Sequence, residues 1–248
     1  MKRVAIEASP LDVAVIAALR FGSMGVIKLL LTGKGPMNGW IARAYDRGVQ
    51  NAFRDVVAGT FDELAGQLID ARKLLDVGCG PGQFSIMAAE RLPQAEVVGI
   101  DLAPTMIELA RGHAAQSPAA KRLHFDVGDA MALPFPDASF DAAMSSGSIK
   151  QWPDAVGGLR EIHRVLAPGG RAYILEINRE APAQAIETQR RRMQHWFFRL
   201  MLPYVATQGM SPEQARQACA ASPFGAPVEQ RLLLDGLIWL LIAEKAAA

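Results

Sequence analysis

The stretch with the clearest chemical potential is Asp76-Val-Gly-Cys-Gly-Pro-Gly82, which follows a short apolar run. Asp101 stands 21 residues beyond Gly80, at the end of the next apolar run. Glycine tolerates positive φ and lets backbone approach a ligand closely. A helix beginning near Gly82 offers N–H groups that have no partner within the helix. A carboxylate at Asp101 can accept hydrogen bonds from both hydroxyls of a ribose. The pattern therefore predicts an adenosine-containing ligand. A dinucleotide fingerprint would place Gly or Ala at position 83, where this chain has Gln83. Asp76 would repel a pyrophosphate but suits the cationic ammonium of a methionine moiety. A nicotinamide or flavin dinucleotide and S-adenosylmethionine both remain open on these residues.

These groups need a scaffold of alternating strands and helices. Strands are predicted at 73–78, 96–101, 123–127, 140–145 and 171–177. Helices are predicted over 83–91, from Pro104 to about Ala115, and from a cap at Asp154 to near Leu166, where Pro168-Gly169-Gly170 stops the chain. Pro104 suits a first helical position. Alternation of this kind implies parallel pairing with right-handed crossovers. Val228–Leu234 and Leu237–Ala243, joined at Asp235-Gly236, read as an antiparallel hairpin. The predicted fold class is α/β: a Rossmann-like, seven-stranded, mostly parallel sheet with a terminal antiparallel hairpin and a helical cap. Residues 1–72 are expected to form an amino-terminal helical cap. Residues 73–248 form the core, with a helical lid inserted at about 180–223.

Taken in order, the motifs resemble the class I S-adenosylmethionine-dependent methyltransferases, and most closely the small-molecule branch of ubiquinone/menaquinone-biosynthesis-type enzymes. The likeness rests on Asp76–Gly82, Asp101, Gly128-Asp129-Ala130 with Leu133-Pro-Phe-Pro136, Asp137-Ala-Ser-Phe-Asp141 and Leu159–Gly170. It implies methyl transfer from S-adenosylmethionine to a small organic acceptor at O, N, S or C, with S-adenosylhomocysteine as product. It also implies roles. Gly78, Cys79 and Gly80 line the methionine and ribose side, with Asp76 behind them, and Asp101 holds the ribose. Leu102 and Met106 lie against the adenosine. Asp129 accepts from the adenine amino group and Ala130 donates from its backbone. Ser145 and Ser146 lie beneath the sulfonium. Tyr45-Asp46 resembles an aromatic-acid pair that covers the cofactor in some members.

The acceptor wall is expected on the loops after the fourth and fifth strands. It offers Lys150, Trp152 and Glu176 as candidate catalytic groups, with His195 from the inserted segment. His113, His124 and His163 read as surface or packing residues, and Cys79 as a small residue required by the turn. No His/Cys/Asp spacing supports a metal site. The alternatives are an NAD(P)-dependent oxidoreductase and a non-catalytic S-adenosylmethionine-binding partner or regulatory subunit.

Composition narrows the partners. The chain has 248 residues, 50% hydrophobic, with Lys+Arg 26 against Asp+Glu 25 and a net charge of +1. Disorder and bulk attraction to nucleic acid are both disfavoured. Two cysteines fit a reducing cytoplasm. Within the apolar stretch 11–31, Asp12, Arg20 and Lys28 share one helical sector and argue against a spanning helix. That stretch reads as helices packed on the core, with peripheral membrane contact as the alternative. Arg190-Arg-Arg192 followed by Trp196-Phe-Phe198 reads as a solvated helix face with core-facing aromatics, in a lid over an apolar acceptor.

Overall fold

A computed structural model describes residues 54–68, 70–193, 196–227 and 229–247, together with Gly39, Ala42, Arg43 and Asp46. The predicted helices of 11–31, Tyr45 and His195 lie outside the described residues.

Seven strands form one sheet: β1 (Lys73–Val77), β2 (Glu96–Asp101), β3 (Leu123–Val127), β4 (Phe140–Ser146), β5 (Leu166–Ile177), β6 (Glu229–Leu233) and β7 (Ile238–Glu244). Their order is β3-β2-β1-β4-β5-β7-β6. The first five pair in parallel, and β7 enters antiparallel between β5 and β6. The order reverses direction between β1 and β4, and ligands of open α/β sheets bind at the carboxyl ends of strands at such a switch.

The described helices are α1 (Arg54–Ala65), α2 (Gln83–Arg91), α3 (Pro104–Ala114), α4 (Ala155–Val165), α5 (Ala183–Arg192), α6 (Trp196–Thr207) and α7 (Pro212–Ala220). The sheet is apolar on both faces. One face buries Leu74, Val97, Met144, Tyr173 and Leu240 with Phe61 and Leu64 of α1, Ala88 of α2 and Ile107 of α3. The other buries Leu75, Ile100, Ile174, Trp239 and Leu241 with Leu159 and Ile162 of α4 and Ala215 and Cys219 of α7. Strands covered on both sides read as continuous apolar runs, which is why β1, β2, β4 and the second half of β5 were legible, whereas β3 at the sheet's edge alternates buried and exposed residues.

The insertion divides in two. Helices α5 and α6 bring Ala185, Leu202 and Ala206 against Ile177 and Leu237 beyond the sheet's end. Helix α7 instead belongs to the layer against the sheet. It opens with a capping box, in which the Ser211 hydroxyl accepts the Gln214 N–H at 3.1 Å and the Gln214 side chain accepts the Ser211 N–H at 3.1 Å.

Three local expectations are corrected. Asp154 occupies the cap position of α4, but its side chain makes no cap hydrogen bond; its backbone carbonyl accepts the Gly158 N–H at 3.0 Å. Strand β5 begins at Leu166, paired with Phe140, and resumes regular register at Arg171. Pro168-Gly169-Gly170 is therefore an irregularity within the strand rather than a loop before it. The terminal hairpin does not turn on Asp235-Gly236 alone. Leu234 (φ 52°), Asp235 (φ 59°) and Gly236 (φ 96°) all have positive φ. The Leu234 side chain is drawn inward to pack against the two apolar clusters on that side of the sheet.

Candidate active site

The turn after β1 is tied down by its neighbour. The N–H groups of Gly78 and Cys79 both donate to the Ile100 carbonyl, at 2.8 and 2.9 Å. The Gly80 N–H donates to Asp101 Oδ2 at 3.0 Å, and the Ala103 N–H donates to Asp101 Oδ1 at 2.9 Å. Gly78, Gly80 and Gly82 have φ of 75°, 53° and 83°, which explains three glycines in so short a turn. The Asp101 carboxylate therefore sits between the turn and the start of α3, with its pKa raised by burial against the opposing pull of the two backbone N–H groups. Leu102, immediately beyond, exposes 69% of its surface, an apolar side chain presented beside the carboxylate.

Asp76 is differently placed. It is buried on β1, and Ser85 Oγ of α2 donates to its Oδ2 at 2.6 Å. Desolvation raises its pKa to about 7. The carboxylate thus stands at the amino end of α2, where a helix favours negative charge. Cys79 is buried, and its thiol is pushed well up by burial. Its side chain packs within the apolar cluster under the turn.

Phe125 of β3 explains a glycine that sequence reading passed over. A Cβ at Gly99 would lie 2.6 Å from its ring, and one at Gly82 would lie 3.0 Å from it. The missing side chains let β3 close onto the turn. Met106 is buried with Ala42 and Ala103, beneath the segment that precedes the core.

Asp129, expected to face the adenine, is exposed and its Oδ1 accepts the Met131 N–H at 2.8 Å; Ala130 is half-buried next to it. The loop that follows is clamped to α4. Arg164 donates to the carbonyls of Leu133 and Phe135 at 2.9 and 2.8 Å and to Asp137 at 2.8 Å, while Glu161 accepts the Leu133 N–H at 2.9 Å. Arg164 and Glu161 also bond each other at 2.7 Å. Neither was singled out from the sequence, although both lie inside Leu159–Gly170.

His113 was read as a surface residue. Instead its Nδ1 lies 3.0 Å from the Pro81 carbonyl and its Nε2 lies 3.3 Å from Asp46. It joins the glycine turn to the segment preceding the core. His124 is exposed, and His163 packs edge-on to Phe224.

The residues expected to form the acceptor wall lie at and just beyond the ends of β4 and β5. Ser145 is fully buried and Ser146 half-buried. Lys150 Nζ donates to Glu176 Oε1 at 2.8 Å. Trp152 lies with its ring over Gly158, and its Nε1–H donates to Ser148 Oγ at 2.9 Å. Among the described residues, no cluster of three His, Cys, Asp or Glu side chains is arranged to hold a metal ion.

Residues 74–170 match a family model described as a methyltransferase domain. The chain is similar to the demethylmenaquinone methyltransferase of Deinococcus radiodurans, with 47% identity over 108 residues that cover 43% of each chain. It is also similar to a ubiquinone/menaquinone biosynthesis C-methyltransferase of a Geobacter species, with 36% identity over 136 residues covering 54% of this chain and 56% of that one. The chain thus spans about half the length of the curated relatives it matches. In fold it resembles the solved structure of a proposed S-adenosylmethionine-dependent methyltransferase from Methanococcus maripaludis. The TM-score is 0.64 at 22% identity, over 84% of this chain and 93% of that one. Over residues 74–170, then, the chain matches a methyltransferase domain, and over much the same stretch it is similar to the ubiquinone/menaquinone C-methyltransferases.

Proposed function

We propose that the protein transfers a methyl group from S-adenosylmethionine to a small, apolar, quinone-type acceptor. One observation carries the reading: the Asp101 carboxylate is locked beside the glycine turn at the sheet's switch point, with the exposed Leu102 next to it. A sugar diol and a purine fit such a corner. The kind of acceptor is supported by the names of the similar proteins.

When bound, S-adenosylmethionine supplies an electrophilic methyl on a sulfonium leaving group and departs as S-adenosylhomocysteine. This chain's residues bind and align. Asp101 receives the ribose hydroxyls, and Asp129 with the Ala130 N–H reads the adenine edge. The ends of β4 and β5 present the acceptor, and holding a nucleophile in line supplies roughly 7–11 kcal/mol of barrier reduction. Helices α5 and α6, seated over Ile177 and Leu237, serve as a lid that excludes water. The dinucleotide alternative is disfavoured by Asp76, whose carboxylate already occupies the start of α2 where a pyrophosphate would need the helix N–H groups.

The test is calorimetry with S-adenosylhomocysteine and with NAD, followed by an assay of S-adenosylhomocysteine release with hydroquinone acceptors. Uptake of NAD in preference to the adenosyl compound would overturn the proposal. Adenosyl binding with no turnover on any acceptor would favour the non-catalytic partner reading.

A further inference from the structure

Among the described residues, three buried side-chain polar atoms have no hydrogen-bond partner: Ser145 Oγ, Glu176 Oε2 and Gln189 Nε2. Two of them share one face of the sheet at adjacent strand ends. Ser145 of β4 stands opposite Ile174 of β5. Opposed residues in a sheet share a face, and alternate residues along a strand return to it, so Glu176 lies on the same face one step further toward the carboxyl edge. Glu176 falls within the wall expected to present the acceptor, and Ser145 at the position expected beneath the sulfonium, so the two flank the place where the methyl would pass.

The two oxygens of Glu176 are unequally served. Oε1 accepts from Lys150 Nζ at 2.8 Å and from the Ile177 N–H at 2.7 Å. Oε2 accepts from nothing. The Glu176 side chain is 0% exposed and that of Lys150 19%, so the pair runs inward from the surface, with the ammonium outside and the carboxylate behind. A carboxylate paired with an ammonium is acceptor-only. A buried acceptor without a donor is costly and calls for a reason.

We propose that Glu176 Oε2 and Ser145 Oγ anchor the methyl acceptor through a hydroxyl or N–H group close to the atom that is methylated. This rests on the methyl-transfer reading above and adds to it the residues that select the acceptor. Glu176 takes a donor hydrogen from the acceptor, and Ser145, able to donate or accept, meets a second polar group. Lys150 is a positioning residue that holds the carboxylate by its other oxygen. The ligand class is a small aromatic carrying a hydroxyl or amine. A ring carrying only ethers or carbonyls leaves Glu176 unserved, and a site built around a hydrogen bond rejects an analogue that lacks it.

The experiment uses the full chain saturated with S-adenosylhomocysteine. Naphthohydroquinone and its dimethyl ether are the probes, titrated under anaerobic conditions by calorimetry. The wild-type chain is expected to prefer the hydroquinone by about 10- to 150-fold, the range of a hydrogen bond to a charged group. Glu176→Gln should abolish that preference while S-adenosylhomocysteine binding is retained. Lys150→Met should reduce the preference, and Lys150→Arg should restore it. A wild-type chain indifferent to the ether, or a Glu176→Gln variant that keeps the preference, would overturn the proposal. So would a Glu176→Gln variant that loses S-adenosylhomocysteine and both probes alike, because Glu176 would then be a folding residue. Failure of the wild-type chain to bind S-adenosylhomocysteine would instead strike the methyl-transfer reading itself.

Discussion

Asp101 and Gly80 are joined by a hydrogen bond in which the Gly80 N–H donates to the Asp101 carboxylate at 3.0 Å. The group expected to hold the ribose is therefore also the group that shapes the turn beside it. Asp101→Ala should weaken S-adenosylhomocysteine binding by roughly 10- to 150-fold, the range of one charged hydrogen bond. Asp101→Asn, which keeps an oxygen for one backbone donor, should lose less. Calorimetry on both variants checks this, and unchanged affinity in the alanine variant would remove Asp101 from the site.

Gly78 combines a φ of 75° with a close neighbour, since a Cβ there would fall 2.0 Å from Ser148 Oγ. Gly78→Ala should cost about 1–3 kcal/mol from backbone strain alone, with the clash added. In a Ser148→Gly background, which by itself removes the acceptor of the Trp152 Nε1–H, Gly78→Ala should cost the strain without the clash. Urea midpoints of the two single variants and the double variant measure the division.

The pH dependence of stability follows from Asp76. Its pKa is raised from 3.8 to about 7, chiefly by desolvation, and that of Asp101 is raised as well. The folded chain then holds protons that the unfolded chain has released. The resulting stabilisation is complete below the ordinary carboxylate range and declines as pH rises to about 7. For Asp76 this amounts to roughly 4 kcal/mol at most. Denaturant unfolding without added ligand should show Asp76→Asn with a flatter profile over that window. A variant profile parallel to the wild type would refute the assignment.

Arg164 ties the loop of residues 133–137 to α4 through the Leu133 and Phe135 carbonyls and Asp137. Arg164→Ala should destabilise the protein by about 1–3 kcal/mol and weaken discrimination between adenosine and inosine forms of the cofactor, because Asp129 loses its fixed position. Arg164→Lys cannot serve so many acceptors in a plane and should rescue only part. Competition binding with the two nucleosides separates loss of positioning from loss of fold.

Gln189 lies buried in α5 with its Nε2 unpartnered. Replacing an unserved polar group by an apolar one of similar shape relieves a penalty of about 1–3 kcal/mol. Gln189→Met should therefore raise the melting temperature. A lower melting temperature would mean that the amide finds a partner in solution.

Much of the sheet was legible because β1, β2 and β4 are short apolar runs closed by Gly78, Asp101 and Gly147. Lys73–Val77, Glu96–Asp101 and Leu123–Val127 needed no tertiary information. The glycine turn and Asp101 were legible as a spacing. What escaped were the long-range contacts. Nothing near His113 announces Pro81 and Asp46, and nothing near Arg164 announces the carbonyls of Leu133 and Phe135. Gly99 looked like an ordinary strand residue until the Phe125 ring was found against it. The pairing of Lys150 with Glu176 depends on which strand ends meet. The sequence offers Lys150 after the fourth strand and Glu176 at the end of the fifth as separate candidates, and only the packing of β4 beside β5 makes them a pair.

Placing β7 between β5 and β6 has a consequence for biogenesis. During synthesis β5 waits with one hydrogen-bonding edge open until residues 238–244 leave the ribosome. An open apolar edge is a template for unwanted pairing with other nascent chains. Truncated translation products that stop before Ile238 should therefore be the aggregation-prone species and the ones captured by chaperones.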